Sequence, residues 1–230
     1  MPFETSVLKL LEQAEKEGRN TLLEPELYSL LKEGGLNTPA FFTLDRTEEL
    51  TAQLQSIPGS RVVVKVVSPA ITHKTEMGGV VEVDNSPEAI AQSARDIFAS
   101  VEKKGGTKLL ETVKGVIVSE FVENDGALGS QLFAGLRFTP DMGPVIALGF
   151  GGLEAEALAA SFKGGEATTI FSPLLSTPEE GLHKFLSSYA GRLMTGQTRE
   201  AKCRTTPKAL LEVIRFFGRL ANNCSNQSPD

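Results

Sequence analysis

Cysteine is scarce in this chain: Cys203 and Cys224 are the two thiols, with no metal-like spacing and no histidine near them. A disulfide framework and a cysteine-held metal are therefore excluded as organising principles, and a reduced, cytoplasmic setting is expected. Histidine is equally rare, at positions 73 and 183 only. No apolar run approaches the roughly 20 residues that a membrane span needs, so no membrane partner is expected. The amino-terminal MPFETSVLKLLEQAEKEG lacks the basic-then-apolar plan of a signal peptide and reads instead as an amphipathic helix, with Leu8, Leu11 and Ala14 on one stripe. An excess of positive charge is missing too. The net charge of −6 argues against a general affinity for nucleic acid or anionic lipid, while leaving room for a local basic pocket. Neither GxxxxGK[ST] nor GxGxxG occurs.

What is present is an ordinary globular composition, 40% hydrophobic and 23% charged over 230 residues, enough chain for one large domain or two lobes. Helices are expected at Glu24–Lys32 with a stop at Gly34-Gly35, at Thr47–Gln55, and from Pro87, capped by Ser86, to Lys103 with a stop at Gly105-Gly106. Strands are expected at Ala40–Leu44, around Lys65, at Val80–Val83, Gly115–Val122, Ser130–Phe138 and Pro144–Leu148, and in ATTIF. Two closing helices are expected at Pro178–Leu193 and Pro207–Asn222. The segment EAEALAA stays ambiguous. Strands alternate with helices early and dominate later, which suggests two α/β lobes: a lysine-bearing lobe over residues 1–122, a second over 123–222, and a polar tail over 223–230.

The stretch RVVVKVVSPAITHKTEMGGVV, Arg61 to Val81, poses the central question. Lys65 interrupts a β-branched run. It must either snorkel from an edge strand, where lysine discourages aggregation, or meet an anion, because an unpaired buried ammonium is costly. The loop after it carries His73, Lys74 and the pair Gly78-Gly79. Glycines let backbone N–H groups approach an anion closely, and a lysine adds charge, so the composition suits a phosphate cradle. His73 lies in a polar loop, where its imidazole can act as nucleophile or general base; His183, in a helix, is read as a surface or packing residue. Farther on, VSEFVEND ends a strand at Glu120-Phe121-Val122. A strand exit with a capping acid explains this trio, and so does a slot and backbone edge for a nucleotide base.

Together these motifs resemble the ATP-grasp domain, the beta-type part, of NDP-forming acyl-CoA synthetases of the acetate–CoA ligase (ADP-forming) type. VVVKVVSPAITHKTEMGGVV is similar to the family's lysine strand and His-Lys loop. LLKEGGLNTPAFFTL resembles its short helix and following strand, GVIVSEFV its hinge strand, and GLRFTPDMGPVIALGFGGLEAE its Asp-Pro-x-Phe-Gly-Pro block. The likeness runs from about Leu22 to Ala221.

The resemblance implies an ATP-grasp fold, α/β with α+β lobes and a nucleotide cleft between the two. It implies ATP or ADP and Mg²⁺ as cofactors, and a CoA-binding, alpha-type subunit or domain as partner. By position, Lys65, Lys74, Gly78 and Gly79 would hold phosphates, Glu120, Phe121 and Val122 the base, and His73 would carry phosphate; Glu156 and Asp141 are the candidate metal ligands. The reaction implied couples acyl-CoA thioester cleavage to ATP formation from ADP. The chain departs from the pattern at Gln131, where the family has glutamate, and at Thr139 and Ala160, where it has aspartates. A competent ligase subunit, a piece of a longer synthetase, and a degenerate relative serving as regulatory or structural partner all remain open on these residues.

Overall fold

The computed structural model describes residues 3–45, 57–127, 130–152, 167–199 and 201–225. The β-branched run forms strand β2, Arg61–Val67, and its alternation decides where the first core sits. Val62, Val64 and Val66 are wholly buried on one face, whereas Val63 and Lys65 point to the other. Four antiparallel strands make this sheet in the order β1–β4–β2–β3, with β1 at Phe41–Leu44, β3 at Val80–Asp84 and β4 at Gly115–Glu120. Lys65 pairs with Val80 of β3 on one side and Ile117 of β4 on the other, so β2 is an interior strand. An edge-strand role for Lys65 is thereby excluded.

Helix α3, Pro87–Glu111, covers the valine face. Ser86 caps it by accepting from the Ala89 N–H, and Pro87 starts it where a missing N–H costs nothing. Ile90, Ile97 and Val101 fall on one stripe and are fully buried against Val62, Val64, Val66, Val116 and Val118. The expected stop at Gly105-Gly106 is a kink instead. Gly106 takes φ +75°, ψ 173°, outside the helical range, and helix resumes to Glu111. Thr112 then donates to Leu109 O and shares a 2.8 Å hydrogen bond with Ser68, after which the chain turns into β4.

Ahead of the sheet lie α1, Phe3–Lys16, and α2, Glu24–Glu33. The start of α2 is fastened twice. Glu26 reaches back to the Leu23 N–H at 2.7 Å, and the Arg19 guanidinium, only 3% exposed, grips Glu26 at 2.8 and 3.0 Å while donating to Thr21 O. Glu17 is a further partner of Arg19. The expected helix over Thr47–Gln55, the segment EAEALAA and the metal candidate Glu156 lie outside the described residues.

Residues 9–123 form one compact unit; residues 2–8 and 124–230 form another. The second unit has a three-stranded antiparallel sheet, β5–β6–β7, from Leu132–Thr139, Gly143–Phe150 and Thr168–Phe171. The single helix expected over Pro178–Leu193 is two, α4 (Pro178–Ser187) and α5 (Tyr189–Met194). Ser188 makes the break: it sits at extended φ/ψ, and its hydroxyl accepts from the Gly191 N–H as the cap of α5. Helix α6, Pro207–Ser225, buries Leu210, Ile214 and Phe216 in the same unit. Among the described residues no helix is long and apolar enough to cross a membrane.

Because Ile97 fills the centre of the α3 interface, Ile97→Ala is expected to destabilise the first unit by about 2–5 kcal/mol, measured by urea unfolding.

Candidate functional site

The face of the first sheet opposite α3 carries the charges. Lys65 projects there from β2 and meets Glu24, the first residue of α2: the Lys65 Nζ lies 2.6 Å from Glu24 Oε1. Lys74, from the loop after β2, donates to the other oxygen, Oε2, also at 2.6 Å. One carboxylate thus bridges two ammoniums, and each of the three side chains is only 20–23% exposed. Tyr28, one turn along α2 from Glu24, stands with its ring centroid 5.9 Å from the Lys65 ammonium and packs edge-on against Phe41. The anion that the interior lysine requires is therefore supplied from within the chain.

The electrostatics follow. Burial disfavours the charged form of Glu24, but Lys65 and Lys74 outweigh it and lower its pKa. Burial likewise works against charged Lys65, and Glu24 outweighs it, raising that pKa. Tyr28 is pushed up, chiefly by burial. Two positive charges and one negative leave the cluster with a net charge of +1, a suitable field for an anionic ligand.

The loop Ser68–Gly79 is seated by contacts that the sequence pattern does not reveal. Ser100 of α3 donates to Met77 O at 2.8 Å, and Lys104 donates to Glu76 O at 2.7 Å. Gly78 adopts φ +68°, and a Cβ there would fall 2.5 Å from Ser100 Oγ; at Gly79 it would fall 2.5 Å from Val66 Cγ1. Both glycines are needed for the loop to lie this close to α3 and β2. Their N–H groups are already committed, Gly78 to Thr75 O and Gly79 to Lys74 O. In this conformation the two amides close the loop's own turns. His73 is displayed on that loop, its side chain 65% exposed, with Nδ1 3.8 Å from Glu76.

The expected base-binding trio lies at the end of β4 in the same unit. Strand pairing stops at Glu120, two residues before the predicted end. The Glu120 N–H donates to Ala40 O and its carboxylate accepts from the Ala40 N–H. Phe121 is covered by the Arg61 guanidinium at 4.2 Å, and Val122 is exposed. A cavity of about 630 Å³ opens beside Glu120, bounded by Ser29, Lys32, Thr38, Pro39, Ala40 and Phe41. Its size suits a small-molecule ligand.

The metal candidates fare differently. Asp141 is exposed in the β5–β6 turn, where Thr139 accepts from the Met142 N–H and donates to Gly143 O. Gln131 accepts at its backbone oxygen from Gly151. Among the described residues no three His, Cys, Asp or Glu side chains come together as a metal would need.

Sequence reasoning missed Glu24, Tyr28, Arg19, Ser100 and Lys104. A glutamate opening a helix before proline signals a helix start, but nothing local ties it to a lysine 41 positions away.

An antiparallel sheet with a charged lysine on an interior strand, a His-Lys loop behind it and a second antiparallel sheet backed by helices is the architecture of the ATP-grasp class. Residues 13–215 match the ATP-grasp domain family, and the chain belongs to it. The beta subunit of acetate–CoA ligase [ADP-forming] I from Pyrococcus furiosus is 30% identical over 216 residues, covering 93% of this chain and 84% of that subunit. The 4-hydroxybutyrate–CoA ligase [ADP-forming] of Nitrosopumilus maritimus is 37% identical over 153 residues, which are 65% of this chain but only 20% of that enzyme. The solved dinucleotide forming acetyl-coenzyme A synthetase 1 of Ca. Korarchaeum cryptofilum, in complex with coenzyme A and Ca-AMPCP, superposes with a TM-score of 0.72 over 93% of this chain and 86% of that one, at 24% identity. That likeness speaks for the fold.

Since Glu24 holds a lowered pKa when folded, its stabilising contribution is complete above the ordinary glutamate range of about 4.3 and is lost as the pH falls through the folded value. Glu24→Gln is expected to melt below the wild type at pH 7. The gap between the two should narrow progressively below about pH 4.3, as followed by thermal unfolding monitored by circular dichroism.

Proposed function

We propose that the chain is the nucleotide-binding ATP-grasp part of an ADP-forming acyl-CoA synthetase, acting with a CoA-binding subunit or domain. The observation that carries this reading is the pairing of Lys65 on β2 with Lys74 on the loop that also displays His73. The ammoniums supply a positive subsite for nucleotide phosphates, and the cavity beside Glu120 is of a size for the base. Similarity to a ligase beta subunit across most of both chains supports the assignment.

In this reading phosphate displaces CoA from an acyl-CoA on the partner, giving an acyl phosphate and free CoA. The phosphoryl group passes to His73 as the O–P bond to the acyl group breaks and the free carboxylate leaves. The terminal β-phosphate oxygen of ADP then attacks the phosphorus. The O–P bond of ATP forms as the N–P bond to the imidazole breaks, and the ring nitrogen is left with its electron pair, ready for another cycle. Exposure of His73 suits a group that must receive its phosphate from another protein surface. Lys65 and Lys74 orient the phosphates and offset the charge that builds up between them. Mg²⁺, when bound, would offset charge on the phosphates, with Asp141 and Glu156 as the residues offered to hold it; no step is assigned to it.

A second reading has one observation in its favour. Thr139 stands where the family has a carboxylate, and its hydroxyl is engaged in closing the β5–β6 turn. A relative that binds nucleotide without turnover, serving as a regulatory or structural partner, would tolerate that exchange.

Two variants separate the roles. Lys65→Met is expected to abolish ADP and ATP binding in titration calorimetry while the protein stays folded; unchanged affinity would remove Lys65 from the site. His73→Asn is expected to keep ADP binding but to lose acid-labile, alkali-stable labelling by ATP carrying a labelled γ-phosphate in the presence of Mg²⁺. Wild-type protein that binds ATP yet takes up no label, alone or with a CoA-binding partner, would favour the non-catalytic reading.

A further inference from the structure

The contact that neutralises the two lysines raises a question of competition. If Lys65 and Lys74 are to hold phosphate, they must give up something, because each already donates a 2.6 Å hydrogen bond to its own oxygen of Glu24. We propose that Glu24 is a built-in competitor for the phosphate subsite, an internal anion that any ligand must displace and that thereby sets nucleotide affinity. The inference rests on the nucleotide reading above.

Three features carry it. First, the carboxylate occupies the position between the ammoniums in the manner of a ligand: its two oxygens, joined through one carbon, take one lysine each, as two terminal oxygens on a single phosphorus would. Second, Glu24 is presented rather than free to wander. It is the first residue of α2, and that helix start is held by the Glu26 bond to the Leu23 N–H and by the buried Arg19 clamp on Glu26. A tethered carboxylate competes at high effective concentration, so it is not simply outnumbered by dilute ligand. Third, the site is shielded but not sealed. Side chains that remain about one-fifth exposed can be reached from solvent, and a side chain at a helix start can swing away by rotamer change without unfolding the helix.

The consequence for binding is arithmetic. When the competent state, with the lysines released, is populated one part in ten, every ligand's apparent affinity is reduced about tenfold. A single phosphate or another small anion, with few further contacts, falls below useful affinity under that tax. A nucleotide has base and ribose contacts in addition and can still bind. Glu24 would thus keep the subsite from being filled by abundant small anions.

The test compares wild type, Glu24→Gln, Glu24→Asp and Lys65→Met by titration calorimetry with ADP and with pyrophosphate at fixed ionic strength, each variant first checked for folding by its thermal melt. Glutamine keeps the shape and an acceptor but removes the charge; aspartate keeps the charge but is one methylene too short to bridge both lysines. Glu24→Gln is expected to bind both ligands about tenfold more tightly than wild type although it melts lower, with Glu24→Asp between the two. A residue that only holds the lysines in place would give the reverse, weaker binding in both variants. If Glu24→Gln does not fold, Glu24→Asp decides alone by the same criterion. Wild type that binds while both Glu24 variants bind equally or more weakly overturns this proposal and leaves the nucleotide reading standing. Absence of ADP and pyrophosphate binding in the wild type and every variant overturns both.

Discussion

An ammonium on an interior strand that is largely covered by a neighbouring helix loses most of its contact with water, and it calls for an anion close by. Much of the first unit is arranged to meet that obligation at Lys65. With β2 flanked by β3 and β4, the lysine can project only above the sheet, and α2 is fixed there with its first residue, Glu24, over the ammonium. The Arg19 clamp and the Glu26 cap are the means by which α2 is held in that position, so a pair far along the sequence from Lys65 takes part in its solvation. Lys74 then uses the second oxygen of the same carboxylate, which ties the His-Lys loop to the same point.

The two faces of the sheet divide the labour. Val62, Val64 and Val66 bury against α3 and supply apolar stabilisation, while the alternate residues carry the charges. The division matters for the site, because α3 does more than cover valines. Through Ser100 and Lys104 it also grips the loop that bears His73, so one helix fixes both the strand that carries Lys65 and the loop that carries the histidine. Relative placement of those two groups is therefore set by a rigid element and not by the loop alone.

Periodicity and punctuation made most elements legible. The β-branched run gave β2, Ser86-Pro87 gave the start of α3, and the glycine-rich turns separated β5 from β6. Errors fell where a local signal has two meanings. Gly105-Gly106 reads as a stop but is a kink, because packing continues on the far side; Ser188 reads as one more helical residue but is a cap, because its hydroxyl accepts from Gly191. Of the site, the lysines, the histidine and the loop glycines were visible as a cluster in the chain. Glu24 was not, since ion pairing across 41 residues leaves no periodic trace. A steric reason for the two glycines was not legible at all: a Cβ at either would meet Ser100 or Val66.

The manner in which α3 holds the loop has a consequence for how such a site can vary. Ser100 and Lys104 both bind main-chain carbonyls, those of Met77 and Glu76. A latch that recognises backbone is indifferent to the side chain carried on it, and the Glu76 side chain is 79% exposed. The seat of the loop thus rests on main-chain contacts with α3, on the space left by Gly78 and Gly79 and on the Lys74–Glu24 pair, while exposed positions such as His73 and Glu76 stand outside that seat. Those positions can therefore change without disturbing the distance between the Lys65–Lys74 pair and the loop that carries His73.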